Sequence, residues 1–417
     1  MNKKVKKFVM DSVRGNVFLR EHLKKAITYK QKRNYMKYYK KYNVDDKLVV
    51  FEAFNGRKYC DSPKNIYLRM LEEPKYKDYK FVWAFTNPDN FKFLESNRNT
   101  TVVKYHSDEY KKTYASAKYW FTPSRLPDYI VPKKDQVYVQ CWHGTPLKRL
   151  GFDIKVEGKN ALHTVKEWSY LYEYDASRYS YMVSPSKFCS DCYRSAFNLS
   201  HVGKENCIIE KGYPRNDSLF TFDKKYVDSL KKKLGIPKDK KIILYAPTWR
   251  DDQYKKGTGY SYNMALDFDK FRDKFSDEYV LLFRTHYLIA EIVDLTKYEG
   301  FIYNVSDYSD INDLYILADM IITDYSSVFF DYANLKRPML FYMYDLDDYK
   351  NNARDFYFSL DLLPGPIVEK EDDLYKEIKN IDKYWDKYKD KYEKFNKKFN
   401  YLDDKDASKR VLDEIIK

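Results

Sequence analysis

The run Met320–Thr323 (Met-Ile-Ile-Thr) is followed at once by Asp324-Tyr-Ser326-Ser327, and from there Val328, Tyr332 and Leu335 recur at helical spacing. A short apolar run without polar alternation suits a strand buried on both faces, which means a parallel sheet covered by helices on each side. The junction therefore confines the chain to an α/β fold, and the same grammar repeats along it. Strands are expected at 47–54, 79–85, 101–104, 118–121, 136–141, 180–183 and 207–210, then at 241–245, 279–283, 301–304, 320–323 and 338–342, with helices between them. A Lys-rich helix and Gly235-Ile-Pro237 divide the two sets. The reading is two doubly wound, Rossmann-like domains facing a cleft: a basic arm at 1–41, an N-terminal domain at 42–230, a C-terminal domain at 231–395 and a terminal helix at 396–417. At 417 residues the chain is long enough for two such cores.

In open sheets of this kind ligands bind beyond the carboxyl ends of the strands, so the loops there carry the functional reading. Ser326 and Ser327 stand where a strand meets a helix start, whose unpaired N–H groups and positive dipole end can hold a phosphate; as plain helix caps they need no ligand. Gln140-Cys-Trp142-His143-Gly144-Thr145-Pro146 delivers an imidazole into a tight turn, either as a structural His or as a group able to take a proton from a hydroxyl. Arg284-Thr285-His286 ends another strand, where alternation puts Arg284 and His286 on one face. Pro247-Thr248-Trp249-Arg250 and Gly212-Tyr-Pro214-Arg215 add hydroxyl and guanidinium groups at further strand ends. Together these suit a bound diphosphate rather than a metal cage or a thiol nucleophile. Neither a GxxxxGK[ST] loop nor a GxSxG elbow is present. Cys189-Ser-Asp-Cys192 is a lone CxxC without the second pair or His cluster that zinc needs. Asp310 and Asp313 fit a helix cap or a cation equally well, so no metal and no cofactor is assigned.

The net charge of +14 is unevenly placed. Residues 1–41 hold fourteen Lys and Arg against Asp11 and Glu21, a net +12, and the remainder is close to neutral. That distribution argues against a long basic groove for nucleic acid. Val5, Phe8, Val9, Val13, Val17, Phe18 and Leu23 interleave with the arm's cations, as in a helix lying on an anionic membrane surface; a solvated helix packed on the body, or an unstructured tail, fits the same pattern. No apolar run is long enough to span a bilayer, Asp11 and Arg14 interrupt any signal peptide, and five sparse cysteines suit a reducing compartment.

The ordered set Trp142-His143-Gly144-Thr145-Pro146-Leu147-Lys148, Pro247-Thr248-Trp249-Arg250, Arg284-Thr285-His286 and Ser306 through Asp331-Tyr332 resembles the CDP-glycerol glycerophosphotransferases, over roughly residues 45 to 390. The resemblance implies a GT-B fold, peripheral attachment at the cytoplasmic face of the cell membrane, and synthesis of teichoic acid or capsular polymer. It implies a CDP-glycerol or CDP-ribitol donor and a lipid-linked saccharide or polyol-phosphate acceptor. Residue by residue, His143 matches the family's general base and His286 its second essential histidine, which contacts the donor diphosphate. The donor-binding positions match Trp142, Gly144, Thr145, Pro146, Arg215, Pro247, Thr248, Arg250, Arg284, Thr285, Ser326, Ser327 and Asp331. Two other readings compete: a GT-B glycosyltransferase using a nucleotide sugar, and a non-enzymatic protein that binds membranes or polyanions through its basic arm.

Overall fold

The computed structural model describes residues 17–155, 164–248, 254–255, 259–260, 264–285, 294–347 and 356–416. The first half forms a seven-stranded sheet from β1 (Asp45–Phe51), β2 (Lys80–Phe85), β3 (Thr100–Lys104), β4 (Ala117–Thr122), β5 (Val137–Gln140), β6 (Tyr181–Ser184) and β7 (Ile208–Glu210), in the order β3-β2-β1-β4-β5-β6-β7. Every pairing is parallel. The second half forms a six-stranded parallel sheet, β12-β11-β8-β13-β14-β15, from β8 (Lys241–Ala246), β11 (Tyr279–Phe283), β12 (Ile302–Asn304), β13 (Met320–Thr323), β14 (Met339–Tyr342) and β15 (Ile367–Val368). A small antiparallel hairpin, β9 (Tyr254–Lys255) and β10 (Gly259–Tyr260), intervenes in sequence.

The strands lie where the apolar runs predict because each is covered on both faces. Every residue of β11, β13 and β14 is buried. Burying one such side chain contributes about 1.5 to 3 kcal/mol. Both sheets reverse their strand order at an interior strand, between β1 and β4 in the first and between β8 and β13 in the second. The carboxyl ends of the strands at and beside these two reversals bear the loops that carry the site.

The C-terminal segment ties the halves together. The helix Tyr384–Phe399 belongs to the second core, where Tyr392, Phe395 and Phe399 are buried. After it the chain crosses back, and the helix Ala407–Ile415 packs on the helix Asp61–Glu72 and on residues 214–220, with Val411 and Leu412 buried in the first core. The segment 396–417 thus holds the end of one helix and a second helix that serves the other domain. Asp217 caps this return: its carboxylate accepts from the N–H groups of Ala407 at 3.1 Å and Ser408 at 3.0 Å.

The basic arm contains a helix over Val17–Lys41. Its last turns dock on the body: Tyr35 is fully buried, and its hydroxyl donates to the Val131 carbonyl at 3.2 Å. Val5, Phe8, Val9 and Val13 lie outside the described residues. Among the described residues no helix is long and apolar enough to cross a membrane.

Candidate active site

The loop after β5 begins with Trp142 in the left-handed region at φ +50° and passes through Gly144 at φ +141°. The Gln140 side chain fixes the first bend by accepting from the Trp142 N–H at 2.9 Å. The bend lays the His143 ring against that of Trp142, with centroids 4.3 Å apart. Trp142 turns inward and packs on Tyr172, Tyr193 and Phe197, whereas His143 is exposed to the cleft. Thr145 and Pro146 continue the loop as buried residues, with the Cys189 thiol donating to the Thr145 hydroxyl at 3.4 Å.

His143 Nδ1 lies 2.7 Å from the Pro123 carbonyl. A carbonyl only accepts, so Nδ1 carries the hydrogen and Nε2 is the basic nitrogen. Crowding by protein pushes the imidazole down from 6.5 to about 4, with the Arg215 charge adding to the effect. The ring is therefore neutral at pH 7. Phe54, at the end of β1, sits edge-on to it at 6.0 Å.

The serine doublet faces this loop from the other domain. A Cβ built on Gly144 would lie 3.6 Å from Ser327 Oγ and 4.0 Å from Arg215 Nη1. Ser327 stands at the start of the short helix Val328–Tyr332, yet its hydroxyl makes no cap hydrogen bond, and both serines are half-buried. Asp324 holds the two strand ends in place: its Oδ1 accepts from the N–H of Thr248, at 2.8 Å, and from that of Tyr325, at 2.6 Å. Pro247 precedes Thr248 as a half-buried residue.

Arg215 and Asp331 are placed differently from open cleft ligands. Arg215 is 6 % exposed and pairs with Asp61 of the first domain at 3.0 Å and Asp331 of the second at 3.1 Å. Asn216 donates to Asp331 at 3.1 Å and to Asp403 at 2.7 Å. The Arg215 carbonyl accepts from Asn65 at 3.0 Å and also from Asn312. This cluster fastens the domains to one another, and the Arg215 charge reaches the cleft over a short distance.

At the end of β11, Arg284 Nη1 donates to the carbonyls of Val305 at 2.9 Å and Tyr308 at 3.0 Å. Lys58 donates to the same Tyr308 carbonyl at 3.3 Å. Neither cation has an ion-pair partner among the described residues. Burial lowers both pKa values, and Arg284 lowers that of Lys58 further. Thr285 is buried; its N–H donates to Ser306 Oγ at 3.1 Å, and its own hydroxyl is unpartnered among the described residues. His286 and Arg250 lie outside the described residues.

The structure thus brings His143, Gly144, Ser327 and Arg215 together, with Thr248 joined to the serine turn through Asp324. Arg284 and Thr285 lie at the neighbouring strand end. Phe54, Lys58 and Asp61, which follow β1, are not singled out by any motif; the turn signals Asn55-Gly56 and Ser62-Pro63 bracket Lys58 and Asp61 and mark a strand-end loop. Among the described residues no cluster of His, Cys, Asp and Glu could hold a metal ion.

The family model described as CDP-glycerol:poly(glycerophosphate) glycerophosphotransferase matches residues 33–417. The chain is 38% identical over 384 residues to the teichoic acid poly(glycerol phosphate) polymerase of Bacillus spizizenii, covering 89% of this chain and 92% of that protein. The polymerase of the same description from Staphylococcus epidermidis is 42% identical over 344 residues, 82% of this chain and 46% of the relative, so this chain spans about half of that protein's length. Among solved structures, a variant of the wall teichoic acid polymerase TagF soaked with CDPG superposes with a TM-score of 0.84 at 39% identity, covering 95% of this chain and 96% of that one. The two facing parallel sheets are those of a GT-B fold.

Proposed function

Because the chain belongs to the CDP-glycerol:poly(glycerophosphate) glycerophosphotransferase family, we propose that it transfers glycerol phosphate from CDP-glycerol to a hydroxyl of a lipid-linked acceptor, releasing CMP, in teichoic acid synthesis at the cytoplasmic face of the membrane. The observation that carries this reading is the approach of Ser327 to the His143–Gly144 turn across the gap between the sheets. A neutral imidazole with Nε2 as its basic nitrogen then faces hydroxyls and cations suited to a diphosphate.

In this mechanism His143 Nε2 takes the proton of the acceptor hydroxyl. The acceptor oxygen forms a bond to the phosphorus bearing the glycerol, and the bond from that phosphorus to the bridging oxygen breaks, so that CMP leaves with the electron pair. CMP is a good leaving group, and positioning with charge neutralisation therefore contributes more than acid catalysis. Ser326, Ser327, Thr248, Lys58 and Arg284 supply donors and charge for the diphosphate, and family resemblance gives His286 the same task. Arg215 adds its field from within the interdomain cluster. The charge-rich arm supports peripheral association with an anionic bilayer.

The test is mass spectrometry of a synthetic lipid-linked acceptor incubated with CDP-glycerol and, separately, CDP-ribitol. Mass increments of glycerol phosphate with matching CMP release are the expected result. Ribitol phosphate increments would reassign the donor, and transfer only from a UDP-sugar would replace the reading with a glycosyltransferase.

A further inference from the structure

Outside the catalytic cleft, a cavity of about 480 Å³ opens between the arm helix and the first domain. Its arm side carries Lys30, Arg33 and Lys37, and its body side Lys111, His106 and Tyr129. Positions 30, 33 and 37 follow helical i, i+3, i+7 spacing, so the three cations share one stripe, where like charges destabilise the helix. None of the three has an ion-pair partner among the described residues, and all are exposed. Lys111 is the opposite case: its side chain is only 13% exposed, and its partner Asp108, at 2.7 Å, points outward at 71% exposure. Tyr129 is buried and hydrogen-bonds to His106 Nδ1, and Tyr129 also packs on Tyr35, the residue that docks the arm. The cavity is therefore built from both elements, and Lys30, Arg33 and Lys37 give it positive charge without an ion-pair partner among the described residues.

Its location adds a second argument. His106 follows β3 and His143 follows β5, and every strand of the sheet is parallel, so both lie beyond the same edge. Four strand spacings separate β3 from β5, roughly 20 Å. A polyol-phosphate chain has a phosphodiester charge at every repeat, and one whose end hydroxyl reaches His143 can place an earlier phosphate this far away. The cavity is concave, whereas a bilayer meets flat or convex faces, and that shape favours a discrete phosphate over a membrane surface.

We infer that this cavity is an acceptor subsite that holds a phosphodiester of the growing polyol-phosphate chain, several repeats back from the reacting end. The inference rests on the polyol-phosphate acceptor proposed above. The test uses the full chain, soluble acceptors carrying few or many glycerol phosphate repeats, and the double variant Lys30→Gln/Arg33→Gln beside a charge-matched control, Lys389→Gln/Lys394→Gln, on the exposed face of the helix Tyr384–Phe399. The unaltered chain and the control should show a lower KM for the longer acceptor. In the cavity variant that KM should rise on the order of tenfold, as when phosphate contacts are lost, and the advantage of length should disappear. Fluorescence anisotropy of a labelled glycerol phosphate oligomer should show the same loss without requiring turnover. A cavity variant that keeps the preference for length overturns the inference, as does one that loses only binding to phosphatidylglycerol vesicles. Absence of turnover with every acceptor would count against the proposed function instead, and oligomer binding would then decide the subsite alone.

Discussion

Replacing Gly144 by Ala isolates the step from backbone geometry to catalysis. Gly144 sits at φ +141°, a region that only glycine occupies without strain. The added methyl meets nothing closer than Ser327 Oγ at 3.6 Å, an ordinary contact, so the cost is backbone strain rather than collision. That strain is about 2 kcal/mol, or roughly 4 to 8 °C in Tm for domains of this size. The loop can relieve it only by rotating, which moves the neighbouring His143 off the Pro123 carbonyl that orients it. A displacement of about 1 Å at a catalytic base costs on the order of a hundredfold in kcat. The control is Gly235→Ala: Gly235 is left-handed at φ +69° at a helix end with nothing within 4 Å of a new Cβ, so it should lose about 1 kcal/mol and no turnover. Both variants would be compared by differential scanning fluorimetry and by CMP release from CDP-glycerol. A folded Gly144→Ala protein with kcat within a fewfold of the parent would refute the claim that this glycine aims the base.

Three further outcomes follow from the titratable and charged groups of the two domains. The His143 imidazole titrates below 6.5, so kcat/KM should stay level as pH falls to 6.5 and drop only at lower pH; an acid limb at or above 6.5 in the pH profile would contradict its environment. Arg215→Met strands two buried carboxylates, Asp61 and Asp331, and should destabilise the fold by about 3 to 5 kcal/mol in urea unfolding, with much of the loss recovered when both aspartates become Asn. Glu52 is buried, accepts from the hydroxyls of Tyr110 and Tyr114, and is pushed up from 4.5 to about 7 by burial. The folded state therefore holds this proton where the unfolded chain has released it, and stability falls as pH rises between those values. Ionised Glu52 costs about 3 kcal/mol at pH 8, and Glu52→Gln should flatten that part of the stability curve.

The strands were legible because parallel-sheet strands are unbroken apolar runs, and Tyr279–Phe283 or Met339–Tyr342 has no competing reading at that length. β15, only Ile367–Val368 after Pro364-Gly365-Pro366, is too short to carry a pattern. Helical periodicity in 407–415 shows which face is apolar, but not that this face returns to the first domain. The loops were readable as strand-end loops, and Gly144 stands in a turn that requires it. What spacing does not encode is partnership. Arg215 and Asp331 look like ligands in sequence, and only tertiary structure reveals that they neutralise each other together with Asp61. Lys58 looks like any surface lysine until the fold brings it and Arg284 onto the same Tyr308 carbonyl.

The most direct measurement is calorimetry of CDP-glycerol binding to His143→Ala alongside its rate of transfer to acceptor. If the imidazole across from Ser327 serves as the base, the variant should bind the donor with nearly the parent Kd while losing most of its turnover. Loss of donor binding, or transfer at the parent rate, would contradict the assignment.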